Sequence, residues 1–384
     1  MTENILNELY EYAVAVRRQL HMYPEVGFEL DRTVKLVSEE LAKMGIVYTD
    51  RYGTGSVVAE VGEGSFLLAL RADMDALPVE EKTGLSYSSQ IPGQMHACGH
   101  DSHTAVLLAV AKYLKRHEAQ LKCRVRLIFQ PSEEGAVSGA EMMANNGVME
   151  GVDEIFCTHC ENAMETGIIG VHSGDYMAAC IPLTVCFLGR TSHATIPEGG
   201  IDAIAMAAES YGKLKAMVAQ EAGERRYIWS VGRFSGGQVH NVIADKCEMD
   251  ISFRFYDTAF AHRVMEQAKN ICEEIAARYG GKAILDWHIS TVAVHNDANL
   301  VERFKRALSE EGGFVVEEMP SRMSSEDFGW YLTKAPGMIF RFGTRNEAIG
   351  CTALAHRNDF CIDEAGMKAA IQAFIAYVQN GMEI

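Results

Sequence analysis

The sequence predicts an α/β fold: a mostly parallel sheet flanked by helices, with an inserted α+β domain of the ferredoxin-like kind. Short apolar runs alternate with helical patterns toward both ends of the chain, which is typical of a parallel sheet. The middle of the chain changes to half-exposed strands, and 384 residues are too many for one ordinary core. We therefore predict a discontinuous large domain over 1–182 and 295–384 and a small domain over 183–294.

The elements of the large domain follow from its apolar patterns. An opening helix is indicated by apolar residues at helical spacing, namely Ile5, Leu6, Leu9, Ala13, Val16 and Leu20. Short apolar runs predict buried strands over 65–70, 124–129, 154–158 and 337–342. Helical patterns predict helices over 104–114, with Asp101 or Ser102 as the cap, and over 139–144, 300–311 and 363–378.

The small domain has the order strand, helix, strand, strand, helix, strand. Alternating apolar residues predict strands over 183–188, 227–234, 247–256 and 283–288. The second helix starts at a cap, either Asp257 or Thr258, and ends before Gly280. This order matches the split ferredoxin-like motif. The first helix is predicted to bury one face, made of Ile201, Ile204, Ala208, Tyr211, Leu214 and Val218.

Charge and composition exclude several classes of function. Lys and Arg total 35 and Asp and Glu total 52, which gives a formal net charge of −17. Such a chain repels phosphate groups, so we expect no nucleic-acid or anionic-membrane partner. The first residues lack the basic start and apolar core of a signal peptide, and no apolar run is long enough to span a bilayer. A cytoplasmic location with ten reduced cysteines is therefore expected.

Candidate ligands follow the predicted strands of the large domain. In open parallel sheets, ligands bind at the carboxyl ends of the strands, so these side chains are expected to converge. Each has a plainer interpretation: turn residues before Pro78, acids at a helix start, or hydrogen-bonded loop histidines. Together they favour a metal site, since Cys98 and His100 lie two apart in a glycine-containing loop. The set comprises Asp73, Asp75, Cys98, His100, Glu133, Glu134, His159 and His356.

The chemistry of these donors predicts two divalent metal ions. Nitrogen, sulfur and carboxylate ligands suit zinc or another divalent transition metal. Five strong donors exceed one tetrahedral site, so we expect two ions, which can share and activate a water molecule. The adjacent Glu133 and Glu134 allow one carboxylate to bind metal while the other shuttles protons.

Several segments in this order carry a family resemblance. The chain resembles the aminoacylase/carboxypeptidase family of co-catalytic metal hydrolases. It is most similar to the amidohydrolase branch, which contains hippurate and N-acyl-amino-acid hydrolases, N-acetyl-diaminopimelate deacetylases and auxin-conjugate hydrolases. The stretch from Met95 to His103 is the most specific match. The matching segments are 17–25, 71–78, 95–103, 130–134, 189–197, 240–243 and 325–328.

The resemblance implies a role for each residue of the set. Glu133 would be the general base that activates water and then the acid that protonates the leaving amine. Asp75 would support a metal ligand, and Asp73 takes the place of a metal-binding histidine of other branches. The ions would be Mn²⁺ or Zn²⁺, with Co²⁺ or Ni²⁺ as alternatives. The metal ligands would be Cys98, bridging through its thiolate, His100, Glu134, His159 and His356.

The resemblance also extends to the small domain. His193 would stabilise the oxyanion, reaching into the partner's site of a homodimer formed through this domain. Asn241 and Arg254 would contact the carboxylate or carbonyl of a small-molecule substrate, although Arg254 could equally be an exposed strand residue. Two segments depart from the family pattern, 160–165 after His159 and 357–360 after His356. Arg357 could therefore recognise an additional anion.

The predicted function is hydrolysis of the amide bond of an N-acyl amino acid or a related conjugate. A dipeptidase or other exopeptidase on the same scaffold is the nearest alternative. A non-catalytic metal-binding or ligand-binding protein is a second alternative, although a mere binder has no need of Glu133. A thiol redox protein using Cys157 and Cys160 is a third.

Overall fold

The computed structural model describes residues 1–382, and the chain divides into two compact units. The large unit contains Met1–Tyr176, Val294–Ser321 and, from Asp327 on, the described remainder of the chain. The small unit contains Met177–Ala293 and the short return segment Arg322–Glu326, which the sequence did not predict. The last two positions of the predicted range 295–384, 383 and 384, lie outside the described residues.

The helices and strands follow in chain order. The helices are α1 (Glu3–Met22), α2 (Asp31–Lys43), α3 (His100–Arg116), α4 (Gly139–Asn145), α5 (Ala203–Ala222), α6 (Thr258–Tyr279), α7 (Ala298–Glu311), α8 (Gly329–Leu332) and α9 (Gly366–Ala376). The strands are β1 (Tyr48–Thr49), β2 (Val57–Val61), β3 (Leu67–Asp73), β4 (Arg124–Gln130), β5 (Glu154–Glu165), β6 (Ile168–Val171), β7 (Gly174–Met177), β8 (Ala179–Leu188), β9 (Ile228–Gly236), β10 (Lys246–Phe255), β11 (Lys282–Trp287), β12 (Val294–Asn296), β13 (Val315–Glu318) and β14 (Gly337–Arg345).

The large unit is built on an eight-stranded sheet in the order β1-β2-β4-β3-β5-β14-β6-β13. The four central strands, β4, β3, β5 and β14, are parallel, whereas β2 joins β4 and β6 joins β14 in antiparallel pairs. Helices α1, α3 and α9 contribute to its apolar core. The sheet therefore matches the predicted mostly parallel α/β class, and its central strands bring their carboxyl ends to one edge.

Strand β3 shows why the sequence folds this way. All seven of its residues are buried, and its apolar part, Leu67–Leu70, reads as the unbroken run typical of a strand covered on both faces. Burying one large apolar side chain of this kind contributes about 1.5–3 kcal/mol. Two charged residues, Arg71 and Asp73, are equally buried toward the end of the strand. Burial of charge requires compensation, which draws attention to this edge of the sheet.

The small unit has the predicted ferredoxin-like order of elements. Strands β8, β9, β10 and β11 form a sheet in the order β11-β8-β10-β9, with every neighbouring pair antiparallel. Helices α5 and α6 pack on it around a separate apolar core. Of the two candidate caps of α6, Asp257 is the one that accepts a hydrogen bond, from the Phe260 amide at 3.1 Å. Gly280 ends α6 in the left-handed region, at φ +78°.

Two local predictions in the large unit were wrong. Helix α3 begins at His100, after Gly99, so neither Asp101 nor Ser102 caps it. Asp101 instead accepts hydrogen bonds from Arg17 and His21, because burying its charge requires cationic or hydrogen-bonding partners. Strand β5 runs on to Glu165, so that His159 lies within a strand rather than after one.

The buried face of α5 also differs from the predicted one. Ile204 and Tyr211 are 42% and 41% exposed, whereas Met206 and Met217 are buried. This helix is rich in alanine, and Ala203 and Ala207 face the sheet. Small side chains allow close packing there, so the largest apolar residues do not mark the buried face. Among residues 1–382, no helix is both long and apolar enough to cross a membrane.

Candidate metal centre

The predicted ligands come from the edge of the sheet where the central parallel strands end. Asp75 follows β3, Glu133 and Glu134 follow β4, and His159 lies within β5. Cys98 and His100 flank Gly99 at the start of α3, and the loop after β14 carries His356. The structure brings the donor atoms of Cys98, His100, Glu134, His159 and His356 together in overlapping groups, in which all atoms lie within 4.8 Å of one another.

Gly99 shapes the corner between Cys98 and His100. Its φ of +82° lies in the left-handed region that favours glycine. A Cβ at this position would lie 2.3 Å from the sulfur of Cys160, which leaves no room for any side chain. The corner therefore requires glycine, and it allows residues on both sides to face the same set of donors.

Two of the donor groups share Cys98. One contains Cys98, His100 and His159, with the Cys98 sulfur 3.4 Å from Nε2 of His159. The other contains Cys98, Glu134 and His356, with Nε2 of His356 2.9 Å from Oε1 of Glu134. His100 Nε2 lies 4.0 Å from the same Glu134 oxygen and 3.9 Å from Oε2 of Glu133. A sulfur common to both groups is in the position of a bridging ligand.

Unpartnered buried atoms show that these residues fit a metal ion. Within residues 1–382, both ring nitrogens of His100 are buried without a hydrogen-bond partner. Each such group costs about 1–3 kcal/mol unless something else compensates it. Nδ1 of His159 donates to the Cys160 carbonyl at 2.7 Å, which leaves the Nε2 lone pair for a metal. Thiolate, imidazole and carboxylate donors together suit a divalent transition metal.

The electrostatics of the cluster also favour a cation. Burial lowers the pKa of His100, but the neighbouring Asp73, Asp75 and Glu134 outweigh it and raise that pKa to about 10. Burial, with Glu134 and Glu133, raises the pKa of the Cys98 thiol well above its usual value. Both shifts arise because negative charge predominates among these donors. A divalent cation would offset that charge and stabilise the Cys98 thiolate.

Asp75 organises the two glutamates. Its carboxylate oxygens accept hydrogen bonds from the backbone amides of Glu133 and Glu134, at 3.0 and 3.1 Å. Oδ1 also lies 3.4 Å from Nδ1 of His100. Ser132, just before the glutamates, has a φ of +51°, an unusual value for a residue with a side chain. The two glutamates precede α4 by several residues, so the plainer interpretation that they start a helix is wrong.

Asp73 is held in a buried network beside the donors. It accepts hydrogen bonds from Nδ1 of His103 and from Arg71, both at 2.6 Å. Nε2 of His103 accepts from the Cys160 amide at 2.9 Å, so both nitrogens of this imidazole are engaged. Arg71 also donates to Asp327 at 2.9 Å. Asp73 and His103 therefore brace the cluster, and Asp73 lies 3.8 Å from Nδ1 of His100.

Sequence reasoning gave no role to His103, Arg71 or Asp327. All three stand within the segments that carry the family resemblance, which is the signal that could have identified them. All three are buried ionisable residues, and such residues require partners.

The predicted substrate residues of the small unit lie in two places. His193 and Asn241 are neighbours, since the Ala194 amide donates to the Asn241 carbonyl at 3.0 Å. Both are exposed. Arg254 is half-buried on β10, and its guanidinium donates to the Met323 carbonyl and the Ser325 hydroxyl, both at 3.0 Å.

The remaining predicted residue, Arg357, is exposed in the loop after β14. Its guanidinium makes two hydrogen bonds with the Asp359 carboxylate, both 2.8 Å long. An additional anion would therefore have to compete with Asp359 for this side chain.

The loop that carries His356 is tied to β5. His356 has a φ of +69°, and its amide donates to the Ala97 carbonyl at 2.8 Å. The side-chain amide of Asn162 donates to the carbonyls of Ala353 and Cys361, at 2.8 and 2.7 Å. Asn162 lies in the first of the two segments that depart from the family pattern, and it fixes the His356 loop on both sides of His356.

Asn162→Ala is expected to weaken metal binding. It leaves two buried carbonyls without a donor and releases the His356 loop, and loss of such a supporting residue lowers metal affinity or activity by about 10–100-fold. Isothermal titration of metal into metal-free protein measures the effect. Asn358→Ala, in the exposed part of the same loop, is the matched control. Unchanged affinity in the Asn162 variant would contradict this role.

Strand geometry argues against a redox role for Cys157 and Cys160. Side chains three residues apart on a strand point to opposite faces, so these two thiols cannot form a disulfide within β5. Both are buried, and the Cys160 thiol donates to the Cys98 carbonyl at 3.3 Å.

Comparison with known proteins identifies the family. The sequence profile of peptidase family M20/M25/M40 matches residues 69–380. An N-acetylcysteine deacetylase of Bacillus subtilis is 35% identical, over 94% of this chain and 94% of that protein. Thermostable carboxypeptidase 1 of Saccharolobus solfataricus is 34% identical, over 95% and 94%. A dinuclear metal-binding peptidase of family M20 from Bacillus subtilis superposes with a TM-score of 0.84 at 31% identity, over 97% and 98%. The chain therefore belongs to peptidase family M20/M25/M40 and is a metal-dependent amidohydrolase of that family.

Proposed function

We propose that this amidohydrolase cleaves the amide bond of small N-acyl amino acids, using water activated at two divalent ions. The observation that carries the proposal is the pair of donor groups that share Cys98, with the Glu133 carboxylate beside them. A single ion would not need two groups, and a binding protein would not need an additional carboxylate next to them. Relatives that act on N-acyl amino acids, such as the N-acetylcysteine deacetylase, support the substrate class.

The two donor groups correspond to two metal sites. Cys98, His100 and His159 would hold one ion, and Cys98, Glu134 and His356 the other, with the Cys98 thiolate bridging. The thiolate and imidazoles favour Zn²⁺, and the carboxylate admits Mn²⁺, with Co²⁺ or Ni²⁺ as alternatives. When bound, such ions would act as Lewis acids. They would polarise an amide carbonyl and lower the pKa of water toward neutrality.

Glu133 is proposed as the group that moves the proton. Its carboxylate lies beside the donors, with Oε2 3.9 Å from Nε2 of His100, and its backbone is fixed by Asp75. It accepts a proton from the attacking water and delivers it to the amide nitrogen as the C–N bond breaks. The products are a carboxylate and a free amine. Glu134 cannot share this task while its Oε1 faces His356.

The small unit is proposed to supply the substrate contacts. Nδ1 of His193 lies 2.8 Å from the Thr195 hydroxyl, which leaves Nε2 to bind the developing oxyanion. Asn241, beside it, would bind a carbonyl, and the guanidinium of Arg254 would bind the substrate carboxylate. Arg357 would add a contact to a second anionic group if the substrate displaces Asp359.

We also propose a homodimer formed through the small unit. Strand β9 is the edge of its sheet and is largely exposed. Its Phe234 is 47% exposed, and the Phe234 ring stacks on the ring of Tyr211 with the ring centroids 6.4 Å apart. An exposed edge strand with apolar side chains is a surface that a second strand can pair with. A cytoplasmic location is proposed as well, since Cys351 and Cys361 are both thiols although their sulfur atoms are adjacent, as expected of a reducing compartment.

Exopeptidase activity is the second candidate, because a carboxypeptidase is among the relatives with 34% identity. A substrate panel with metal analysis separates the two. Metal-free protein is loaded with Zn²⁺ or Mn²⁺ and assayed on N-acetyl amino acids, N-benzoyl amino acids and dipeptides. We expect about two ions per chain and kcat/KM at least about tenfold higher on the N-acyl compounds, a difference of about 1.4 kcal/mol. Cleavage of dipeptides alone would establish the exopeptidase, and loading without any hydrolysis would favour a binding protein.

A further inference from the structure

Two thiols lie at the ends of the loop that carries His356. The sulfur atoms of Cys351 and Cys361 are 2.8 Å apart. Their residues are 4% and 9% exposed, so the pair is largely shielded from solvent and Cys361 is the more exposed of the two. Neither residue is among the predicted metal ligands, and nothing in the amide hydrolysis described above uses them.

The backbone around the pair is held in place by other contacts. Cys351 exchanges two backbone hydrogen bonds with Asn346, of 2.9 and 3.0 Å. The Cys361 carbonyl accepts from Asn162, which also binds the Ala353 carbonyl. The two ends of the loop are thus fixed side by side, whereas residues 354–358 between them are exposed. A bond between the two sulfurs would therefore require little movement of the chain.

The chemistry of the two thiols is unequal. The hydrogen bond with Cys351 outweighs burial and lowers the pKa of Cys361 to about 7, whereas the same contact raises the pKa of Cys351. Near neutral pH, Cys361 is therefore substantially present as the thiolate, which is the nucleophilic form, and Cys351 keeps its proton. A nucleophilic thiolate next to a second thiol is the arrangement of an attacking and a resolving cysteine.

We propose that Cys351 and Cys361 are a peroxide-reactive pair that closes reversibly to a disulfide across the His356 loop. The Cys361 thiolate attacks the peroxide, the O–O bond breaks, and Cys361 becomes a sulfenic acid as hydroxide or alkoxide leaves and takes up a proton from solvent, where Cys361 released its own. The Cys351 sulfur then attacks the Cys361 sulfur, the S–O bond breaks, and water leaves with the second proton. The two thiols lose two electrons in total, and the peroxide gains them. An excess of a small thiol reduces the disulfide back to the two thiols and is itself oxidised to a disulfide.

The disulfide is expected to hold the His356 loop more tightly. A covalent link between the loop ends restricts the conformations that it can reach, including those that carry His356 away from Glu134. Since the sulfurs are already adjacent, the link leaves His356 where it is. We therefore expect the oxidised protein to stay active and to release metal to a chelator several-fold more slowly than the reduced protein.

The full-length, metal-loaded protein allows a direct test. It is treated with an equimolar amount of hydrogen peroxide, alkylated, digested with trypsin and analysed by mass spectrometry. Trypsin cleaves after Arg345, Arg357 and Lys368, so the two cysteines fall on separate peptides, 346–357 and 358–368, which contain no other cysteine. We expect these peptides to appear as one disulfide-linked species that dithiothreitol separates. Cys180 and Cys186, which are more exposed, report on general oxidation in the same digest.

Variants resolve the order of the reaction. In C351S, Cys361 is expected to accumulate as a sulfenic acid that dimedone captures, and C361S is expected to show neither this adduct nor the disulfide. If Cys351 and Cys361 of the wild-type protein are recovered only in alkylated form, and so were not oxidised, under conditions that oxidise Cys180 and Cys186, the proposal is wrong. This result does not depend on the folding of any variant, and it is independent of which amide the protein hydrolyses.

Discussion

Glu133→Gln is expected to lower kcat by about 10²–10⁴-fold, the usual contribution of a general acid–base group, while both metal ions stay bound. The amide keeps the size of the side chain and can still accept the hydrogen bond from the Asp327 backbone, whose nitrogen lies 3.4 Å from Oε1. It cannot accept a proton from water. The two donor groups that share Cys98 do not include Glu133, so metal affinity is expected to change little.

Steady-state kinetics together with metal content measures this prediction. The matched control is the neighbouring Glu134→Gln, which removes a carboxylate from the group containing Cys98 and His356. We expect the Glu134→Gln variant to lose bound metal as well as activity. We expect added metal to restore part of the activity. If Glu133→Gln keeps more than about a tenth of the wild-type kcat, Glu133 is not the general base.

Removing the shared thiol has the other large expected effect. Cys98→Ala deletes a donor from both groups at once, so we expect both sites to weaken and activity to fall with them. Loss of a residue that merely supports a ligand lowers metal affinity by about 10–100-fold, and loss of a bridging ligand is expected to exceed that range.

Metal analysis after dialysis, with a titration of Zn²⁺ or Mn²⁺, follows the result. Cys123→Ala is the matched control, since it removes a buried thiol at the opposite end of the sheet, just before β4 begins. We expect the control to bind two ions as the wild-type protein does. If the Cys98→Ala variant retains two tightly bound ions, Cys98 does not bridge them, and another residue must be the ligand that the two sites share.

The neighbourhood of the metal centre is predictable from the sequence for a simple reason. Parallel strands end at one edge of a sheet, so side chains that follow β3 and β4 meet without any long-range information. His356 is different, because no pattern within the chain shows where its loop returns. Its position after the predicted strand 337–342 made it a candidate, the family resemblance gave it the role of a ligand, and the structure places it 2.9 Å from Glu134.

The supporting contacts were beyond prediction from local pattern. Whether Asp101 caps α3 or pairs with Arg17 depends on a helix more than eighty positions earlier in the chain. The role of Asn162 likewise depends on a loop that joins β5 only in the folded protein. On α5, the packing of small alanine side chains determines which face is buried. The positions of the large apolar residues therefore do not predict that face. In each case the deciding contact is long-range in sequence.

The order of segments in the large unit also governs how the protein is made. A ribosome releases Cys98, His100, Glu134 and His159 first, then the whole small unit, and His356 only after both. Strand β14, which separates β5 from β6 in the sheet, emerges equally late. Until then the nascent chain exposes an unpaired edge of β5, the kind of surface that aggregates or recruits chaperones. Under the proposed ligand set, a polypeptide released before that point would lack His356 and with it one donor of the group that contains Cys98 and Glu134.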